Sequence, residues 1–196
     1  EQLCDAVRFC HYSGVKVYVT LNTLVFDREI PLLAKAIENC AKADVDAFIV
    51  QDMGVARLSR QIVPELPLHA STQMTVNSPE GAIMAKELGF TRVVLGRELS
   101  FAQIKAITES CDIETELFVH GALCVCISGQ CYMSSVLGGR SGNRGLCAQP
   151  CRLDFTSGDR HNVLSLKDLS LTEKLPELAK SGITSFKIEG RMKRPE

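Results

Sequence analysis

The sequence lacks any run of about 18 apolar residues, the length that a helix needs to cross a membrane. We therefore expect no membrane span. The chain begins Glu1-Gln2-Leu3, with no initiator methionine, basic segment or apolar segment of a secretory signal peptide. These features predict a cytoplasmic location, and we interpret the chain as a piece of a longer protein.

Several catalytic and cofactor signatures are also missing. No G-x-G-x-x-G follows the first predicted strand, which argues against a dinucleotide-binding sheet. There is no H-E-x-x-H for a zinc protease helix and no G-x-S-x-G for a serine nucleophile. A cysteine–histidine pair such as Cys126 with His120 is conceivable for a peptidase, but no local signature distinguishes it.

Neither sign of charge dominates, since the formal net charge is −1. This balance argues against a generic polyanion binder. The charge is uneven, however. Residues 1–139 hold 11 basic and 16 acidic side chains, a balance of −5, whereas residues 140–196 hold 11 and 7, a balance of +4. The basic C-terminal third could face phosphate or another anion, although solvated helix faces would explain it equally well.

What the sequence does contain is an alternation of short apolar strands and amphipathic helices. Such alternation is typical of βαβ units around a parallel sheet. The predicted strands are Val15–Leu21, Ala47–Val50, Leu68–Ala70, Arg92–Leu95, Glu116–Val119, Ser185–Ile188 and a short extra strand, Asn162–Leu166. The predicted helices are Glu29–Lys42, Val55–Val63, Pro79–Leu88, Phe101–Ser110 and Leu171–Ser181.

We therefore predict an α/β fold, a partial (β/α)8 TIM-like barrel of parallel strands. Six core strands are fewer than the eight of a closed barrel, so we expect the first two βα units to be missing. Residues 1–120 would form barrel βα units. Residues 121–161 would form a cysteine-rich loop insertion after the seventh barrel strand, and residues 162–196 would complete the barrel part.

Polar residues collect directly after the predicted strands, where barrel enzymes build their active sites. Each of them alone could be an ordinary loop cap. Together they predict a site. They are Asn22, Gln51, Asp52, Ser71, Gln73, Arg97, Glu98, His120, Glu189 and Arg191. His120 could transfer a proton near neutral pH, and Glu98 and Glu189 are further acid–base candidates.

Five of the nine cysteines lie between Cys124 and Cys151. Four of them, Cys124, Cys131, Cys147 and Cys151, are spaced C-x6-C-x15-C-x3-C. Four thiolates suit an iron–sulfur cluster or Zn²⁺. Only the second pair fits a zinc knuckle, so the spacing favours a cluster over zinc, with unliganded thiols as a third alternative.

Cys126 lies two residues past Cys124, and we expect it to remain unliganded. Arg140, Arg144 and Arg152 flank the predicted ligands. They could stabilise the negative charge of a thiolate-ligated cluster or hold an anionic substrate.

At these residues the chain resembles the family historically called collagenase-like peptidases of unclassified mechanism. The matching residues are Glu116, Phe118, Gly121, Ala122, Leu123, Cys124, Gly129, Cys131, Met133 and Ser134. Further matches are Asn143-Arg144-Gly145, Gln149, Cys151-Arg152 and the segment from Ser185 to Arg191. Residues 50–54, 68–73 and 128–132 look most like the branch that hydroxylates a ribosomal RNA cytidine.

The resemblance implies a barrel protein with a [4Fe–4S] cluster on the four cysteines and O₂-independent hydroxylation. Relatives act on a ribosomal RNA cytidine, a transfer RNA uridine or a ubiquinone precursor, and the RNA branches are linked to prephenate. It implies RNA as substrate, prephenate as possible co-substrate and an unidentified electron donor. Arg97, Lys187 and Arg191 would bind carboxylates, and Asn22 and Gln73 would contact substrate. A peptidase and an accessory protein of quinone hydroxylation remain the alternatives.

Overall fold

The structure is a computed structural model that describes residues 2–189. Its helices are α1 (Gln2–Tyr12), α2 (Ile30–Lys42), α3 (Met53–Ile62), α4 (Pro79–Glu87), α5 (Phe101–Ser110), α6 (Met133–Gly138) and α7 (Leu175–Ala179). Its strands are β1 (Tyr18–Leu21), β2 (Ala47–Val50), β3 (Leu68–Ala70), β4 (Arg92–Val94), β5 (Glu114–Gly121), β6 (Leu169–Ser170) and β7 (Ser185–Ile188). None of the helices in this range is long and apolar enough to cross a membrane.

The strands form one sheet in which β1 to β5 pair in chain order, each parallel to the next. β7 extends the parallel sheet beyond β5, and β6 pairs antiparallel with the end of β5. Helices connect the parallel strands, as parallel pairing requires. The arrangement confirms the predicted α/β fold of partial-barrel type.

The alternation of side chains along each strand separates a helix-facing core from an inner face. Phe48 and Val50 of β2, and Leu117 of β5, belong to the main hydrophobic core. Their neighbours along the strands, Ile49 and Phe118, point to the opposite face and line a cavity. Because successive side chains of a strand point to opposite faces, one short apolar strand serves both surfaces.

The inner face carries a buried ionic cluster below the cavity. Glu116 of β5 is only 5% exposed and accepts hydrogen bonds from Lys187 Nζ at 2.8 Å and Arg92 Nη1 at 3.1 Å. These cations lower the pKa of Glu116 against the opposing effect of burial. A buried carboxylate is tolerable only with such partners, so the pairing joins β4, β5 and β7 from inside.

One predicted strand is wrong. Residues 162–166 form a turn and an irregular segment, and the antiparallel strand β6 lies further along, at Leu169–Ser170. Asn162 has a positive φ of 55°, and its backbone N–H donates to Asp154 Oδ1 at 3.0 Å. A left-handed residue held by a side chain favours a turn over an extended strand.

Two other elements begin three or more residues later than predicted. β1 begins at Tyr18, three residues later than predicted. The last predicted helix is shorter, since Thr172–Lys174 form a 3-10 turn and the α-helix begins only at Leu175, with Pro176 in its first turn. Proline is favoured there because the first helical N–H groups need no partner within the helix.

His69 of β3 is buried and neutral, and it lies beside the ionic cluster of Glu116, Arg92 and Lys187. Its ring contacts Tyr18 edge-on at 4.9 Å, and its Nδ1 has no hydrogen-bond partner among the described residues. Burial, followed by the nearby Arg92 charge, lowers the pKa of His69 from 6.5 to about 4. Between these values the unfolded chain binds a proton that the folded chain does not bind.

We predict that the free energy of unfolding falls as the pH is lowered from 6.5 towards 4, by up to about 3 kcal/mol from His69, because one pKa unit corresponds to about 1.4 kcal/mol. His69→Gln should flatten this part of the profile. Urea unfolding across the pH range measures it. His161→Gln, which changes an exposed histidine, is the control, and an equally flattened profile for that variant would contradict the assignment.

Candidate active site

A cavity of about 460 Å³ opens at the carboxyl ends of the parallel strands, under the cysteine-rich segment. Its volume lies within the range of small-molecule sites. The sequence-predicted site residues that line it are Asn22, Ser71, Gln73, Arg97, Glu98, Cys124, Lys187 and Glu189. The fold therefore gathers most of the polar residues that follow separate strands.

Arg97, which follows β4, forms one wall of the cavity. Its guanidinium carbon lies 3.7 Å from the centre of the Phe118 ring, and its Nη1 donates to Glu189 Oε2 at 2.7 Å and to the carbonyl of Ala122. An arginine stacked on an aromatic ring and bonded at its edge has few rotamers left. Phe118 also lines the cavity, and the sequence did not predict it as a site residue, although it is one of the residues that carry the family resemblance.

Glu189, which follows β7, packs tightly against the end of β5. Its Oε2 also accepts the backbone N–H of Ala122 at 3.2 Å. The preceding residue, Gly121, has a φ of 142°, and a Cβ there would lie 2.6 Å from atoms of Glu189. Only glycine leaves room for this carboxylate, so Gly121 positions the acid at the mouth of the cavity.

Lys187 connects the cavity to the ionic cluster below it. Its Nζ bonds Glu116 and lies 5.3 Å from the centre of the Phe118 ring, on which Arg97 also stacks. The Phe118 ring of β5 therefore contacts a cation from each side, Arg97 after β4 and Lys187 of β7. Lys187 and Arg97 together give the cavity wall a positive character that suits a carboxylate or phosphate ligand.

Glu98 anchors the cysteine-rich segment to the sheet. Its Oε1 accepts both the backbone N–H of Ser128 at 3.0 Å and the Ser128 hydroxyl at 3.1 Å. Ser128 is buried and has a positive φ of 51°, so the carboxylate stabilises a turn between Cys124 and Cys131 that would otherwise be strained. The geometry gives Glu98 a structural contact, and its predicted acid–base role stays a prediction.

Two of the flanking arginines and an asparagine attach the remainder of the insertion to other parts of the chain. Arg144 makes a two-bond pair with Glu29, at 3.2 and 3.0 Å, and Arg152 donates to Asp168 at 2.9 Å. Asn143 accepts the backbone N–H of Leu24 and donates to Gln51. The contacts of Arg144 and Asn143 hold the insertion over the loops after β1 and β2.

Three of the four predicted ligand sulfurs share one local geometry. The backbone N–H two residues later donates to the sulfur, from Cys126 to Cys124 at 3.4 Å, from Met133 to Cys131 at 3.3 Å and from Gln149 to Cys147 at 3.3 Å. Such bonds stabilise negative charge on sulfur.

Burial and the neighbouring thiols have the opposite effect, because they favour the neutral thiol over the thiolate. Burial raises the pKa of Cys124, and the nearby Cys131, Cys126 and Cys151 raise it further. Thiols that raise each other's pKa in this way would be deprotonated together by a bound cation. Within residues 2–189, no group of three or more His, Cys, Asp or Glu side chains has the arrangement of a site for a metal ion. The predicted metal centre therefore stays a prediction.

His120 and three of the cysteines lie away from the cavity lining. His120 is exposed, and the pairing of β5 with β7 shifts register between Phe118 and His120, an irregularity of the kind that re-aims side chains. Cys131, Cys147 and Cys151 are not among the described residues that line the cavity. Arg191 lies outside the described residues.

The site residues also contain a possible nucleophile. Cys126 is exposed and lines the cavity, but desolvation and the neighbouring Cys131 raise the pKa of its thiol. A cysteine nucleophile needs the opposite shift, which a neighbouring cation or base produces. The described residues of the cavity wall include no histidine.

The chain is similar in sequence to a known protein family and to several characterised proteins. The sequence model of peptidase family U32 matches residues 1–196. The 23S rRNA 5-hydroxycytidine C2501 synthase of Escherichia coli is 44% identical over 98% of this chain and 30% of its own length. The tRNA hydroxylation protein P1 of Bacillus subtilis is 36% identical, over 98% of this chain and 49% of its own length.

A protein named collagenase from Porphyromonas gingivalis is 33% identical over 100% of this chain and 52% of its own length. The chain thus spans 30% to 52% of the length of these curated relatives. The solved structure of the U32 peptidase Mk0906 superposes with a TM-score of 0.62 at 17% identity, covering 98% of this chain and 76% of that one. This likeness concerns the fold.

We predict that Glu98→Ala loosens the turn at residues 127–131. The loss of two hydrogen bonds to a charged acceptor, each worth about 1.5–3 kcal/mol, should speed amide exchange there by at least about tenfold. Hydrogen exchange with mass spectrometry measures it. Glu98→Gln keeps an acceptor oxygen and should retain most of the protection, and Glu109→Ala on the exposed face of α5 is the control. Equal exchange in Glu98→Ala and in the unsubstituted protein would refute the anchoring role.

Proposed function

The chain belongs to peptidase family U32, and from that premise we propose that it forms the active site of an iron–sulfur enzyme that hydroxylates RNA. The first candidate substrate is a cytidine of ribosomal RNA, because the Escherichia coli relative with 44% identity is named for that reaction. The observation that carries the proposal is the cavity between the strand ends and the cysteine-rich segment, lined by cations, carboxylates and thiols.

The cavity suits a single base more than a polypeptide. An enzyme that modifies a base must take it out of the stack and enclose it in a pocket. The inner face supplies amide and hydroxyl groups for the polar edge of a base, from Asn22, Gln73 and Ser71. Hydrogen bonds from such groups to the base edge would set the choice of nucleotide.

Arg97 and Lys187 are the groups that we propose for a carboxylate co-substrate such as prephenate. Both are cationic, both lie in the cavity wall, and both are held against Phe118. Arginine binds carboxylates through paired N–H groups. Because Nη1 of Arg97 donates to Glu189, the guanidinium is already oriented before a substrate carboxylate binds.

Glu189 is the acid–base group that the geometry favours. Two donors, Arg97 Nη1 and the Ala122 N–H, bind its Oε2. The carboxylate is thereby oriented at the cavity wall, where it could accept a proton from a bound ligand. His120 is less favoured for this role, since it does not line the cavity.

Cys124, Cys131, Cys147 and Cys151 are the residues that would hold a [4Fe–4S] cluster. Four soft thiol ligands and the three N–H···S bonds support this assignment. When bound, the cluster would supply electron transfer for an O₂-independent hydroxylation. Zinc is the alternative occupant. Nine free cysteines and an RNA substrate favour a cytoplasmic location.

A peptidase is the competing function, because relatives carry the names collagenase and protease. The cavity offers it little. The Cys126 thiol has a raised pKa, and the described cavity wall holds no histidine to activate it. An accessory protein of quinone hydroxylation would contain the same cluster. The mass of ribosomal RNA from a deletion strain distinguishes it from an RNA hydroxylase.

Anaerobically purified full-length protein should contain iron and acid-labile sulfide in about equal amounts, the composition of a [4Fe–4S] cluster. Cys131→Ala should lose most of both, since a cluster ligand is removed. Cys126→Ala is the matched control and should retain them. Elemental analysis that finds zinc in place of iron would support the alternative metal, and full iron retention in Cys131→Ala would overturn the ligand assignment.

Ribosomal RNA from a strain lacking the gene should lose the mass of one oxygen atom on one cytidine. Complementation with the unsubstituted gene should restore it. Arg97→Gln should reduce restoration by about tenfold or more, because an oriented cation is lost, whereas Arg57→Gln on the exposed side of α3 should not. Mass spectrometry of nuclease digests measures the adduct, and unchanged RNA in the deletion strain would remove ribosomal RNA as the substrate.

A further inference from the structure

Two exposed aromatic rings lie on the same side of the molecule as the cavity. Phe26, in the loop after β1, is 59% exposed, and Tyr132, just before α6, is 67% exposed. Neither ring lines the cavity. Large aromatic side chains left in water on a rigid surface are typical of binding sites.

Phe26 lies close to two arginines, of which one is held in place by an ion pair. The guanidinium carbons of Arg28 and Arg144 lie 5.0 and 5.6 Å from the centre of its ring. The two-bond pair with Glu29 fixes Arg144, and Glu29 also accepts the backbone N–H of Phe26 at 2.9 Å. The Phe26 backbone and the Arg144 side chain are thus preorganised by Glu29, which lowers the cost of ordering this surface when a ligand stacks there.

Tyr132 connects this surface to the cavity. It lines a shallow cleft together with Leu24 and Asn143, the pair joined by the Leu24 N–H bond. Gln73 and Gly129 line both this cleft and the cavity. The cleft therefore begins where the cavity ends, and Phe26 lies two residues beyond Leu24 in the same loop.

We propose that Tyr132 and Phe26 are stacking sites for unpaired RNA bases next to the nucleotide held in the cavity, and that Arg28 contacts the RNA backbone. Alternating aromatic rings and cations along one groove are what single-stranded nucleic acid binds, because every base has a face to stack and every nucleotide carries a phosphate. The inference rests on the proposed function and adds to it that the enzyme binds its target in a single-stranded segment.

The test is binding of a single-stranded oligoribonucleotide carrying one 2-aminopurine to the full-length protein. Stacking on a ring quenches the fluorescence of this base. Phe26→Ala and Tyr132→Ala should each weaken binding about tenfold, the usual effect of removing a stacking partner. Phe26→Tyr and Tyr132→Phe keep the rings and should bind normally. Tyr12→Ala removes a ring that is 95% exposed on α1 and should have no effect.

Arg28→Gln provides an independent measurement. It should weaken binding and reduce the salt dependence of the affinity by about one counterion, as expected for the loss of one phosphate contact. Thermal melting of each variant checks that it folds. A duplex of the same sequence should bind more weakly than the single strand, because its bases are already stacked.

The outcomes separate the inference from the function on which it depends. Tight RNA binding that neither alanine variant weakens would overturn the stacking sites and leave the proposed function intact. An unsubstituted protein that binds no RNA would overturn both. If the alanine variants bind RNA normally but another part of the full-length protein becomes more sensitive to proteases, the rings pack against that part and the inference is wrong.

Discussion

The carboxylate of Glu116 joins three parallel strands from inside the curled sheet. It lies on β5 and binds Arg92 of β4 and Lys187 of β7. A carboxylate buried on the inner face would destabilise the fold without both cations, and the cations would repel each other without the carboxylate. The remaining site geometry depends on this arrangement, because Lys187 reaches the cavity from the position that Glu116 fixes.

Above this cluster, the same pairing of opposite charges organises the mouth of the cavity. Arg97 binds Glu189 across the end of β5, and Glu98 binds the turn at Ser128. The acidic side chains that the sequence places after the strands are thus used first to hold loops and cations in position. A ligand carboxylate or phosphate would enter a site whose cations are oriented before it arrives, which lowers the cost of binding.

The insertion behaves as a covering layer that is tied to the sheet at several points. Arg144 and Asn143 attach it to the loops after β1 and β2, and Gln130 donates to the carbonyl of Gln73. Five of the thiols lie within this layer, and three of their sulfurs accept backbone N–H groups. The layer separates a cavity for a small ligand from the shallow cleft that Tyr132 lines. This division suits a substrate of which one unit is enclosed and its neighbours lie outside.

The sequence by itself determined the parallel α/β fold, because periodicity is local and each strand and helix carries its own pattern. It also determined which polar residues lie at or just after the strand ends, and six of the described candidates line the cavity: Asn22, Ser71, Gln73, Arg97, Lys187 and Glu189. Glu98 lines it as well, but the sequence could not reveal that its carboxylate binds Ser128. The turn at residues 162–166 was missed, since the left-handed Asn162 depends on Asp154, eight residues away.

Only the tertiary structure decided which way each polar group points. His120 was predicted to follow its strand, yet it lies inside β5, where a register shift against β7 leaves it exposed and outside the cavity lining. The pairing of Arg97 with Glu189 joins residues 92 positions apart, and no local pattern encodes such a contact. The sequence states which chemical groups are available, while pairing between distant strands fixes their orientation, because hydrogen bonds and packing are satisfied only in the assembled sheet.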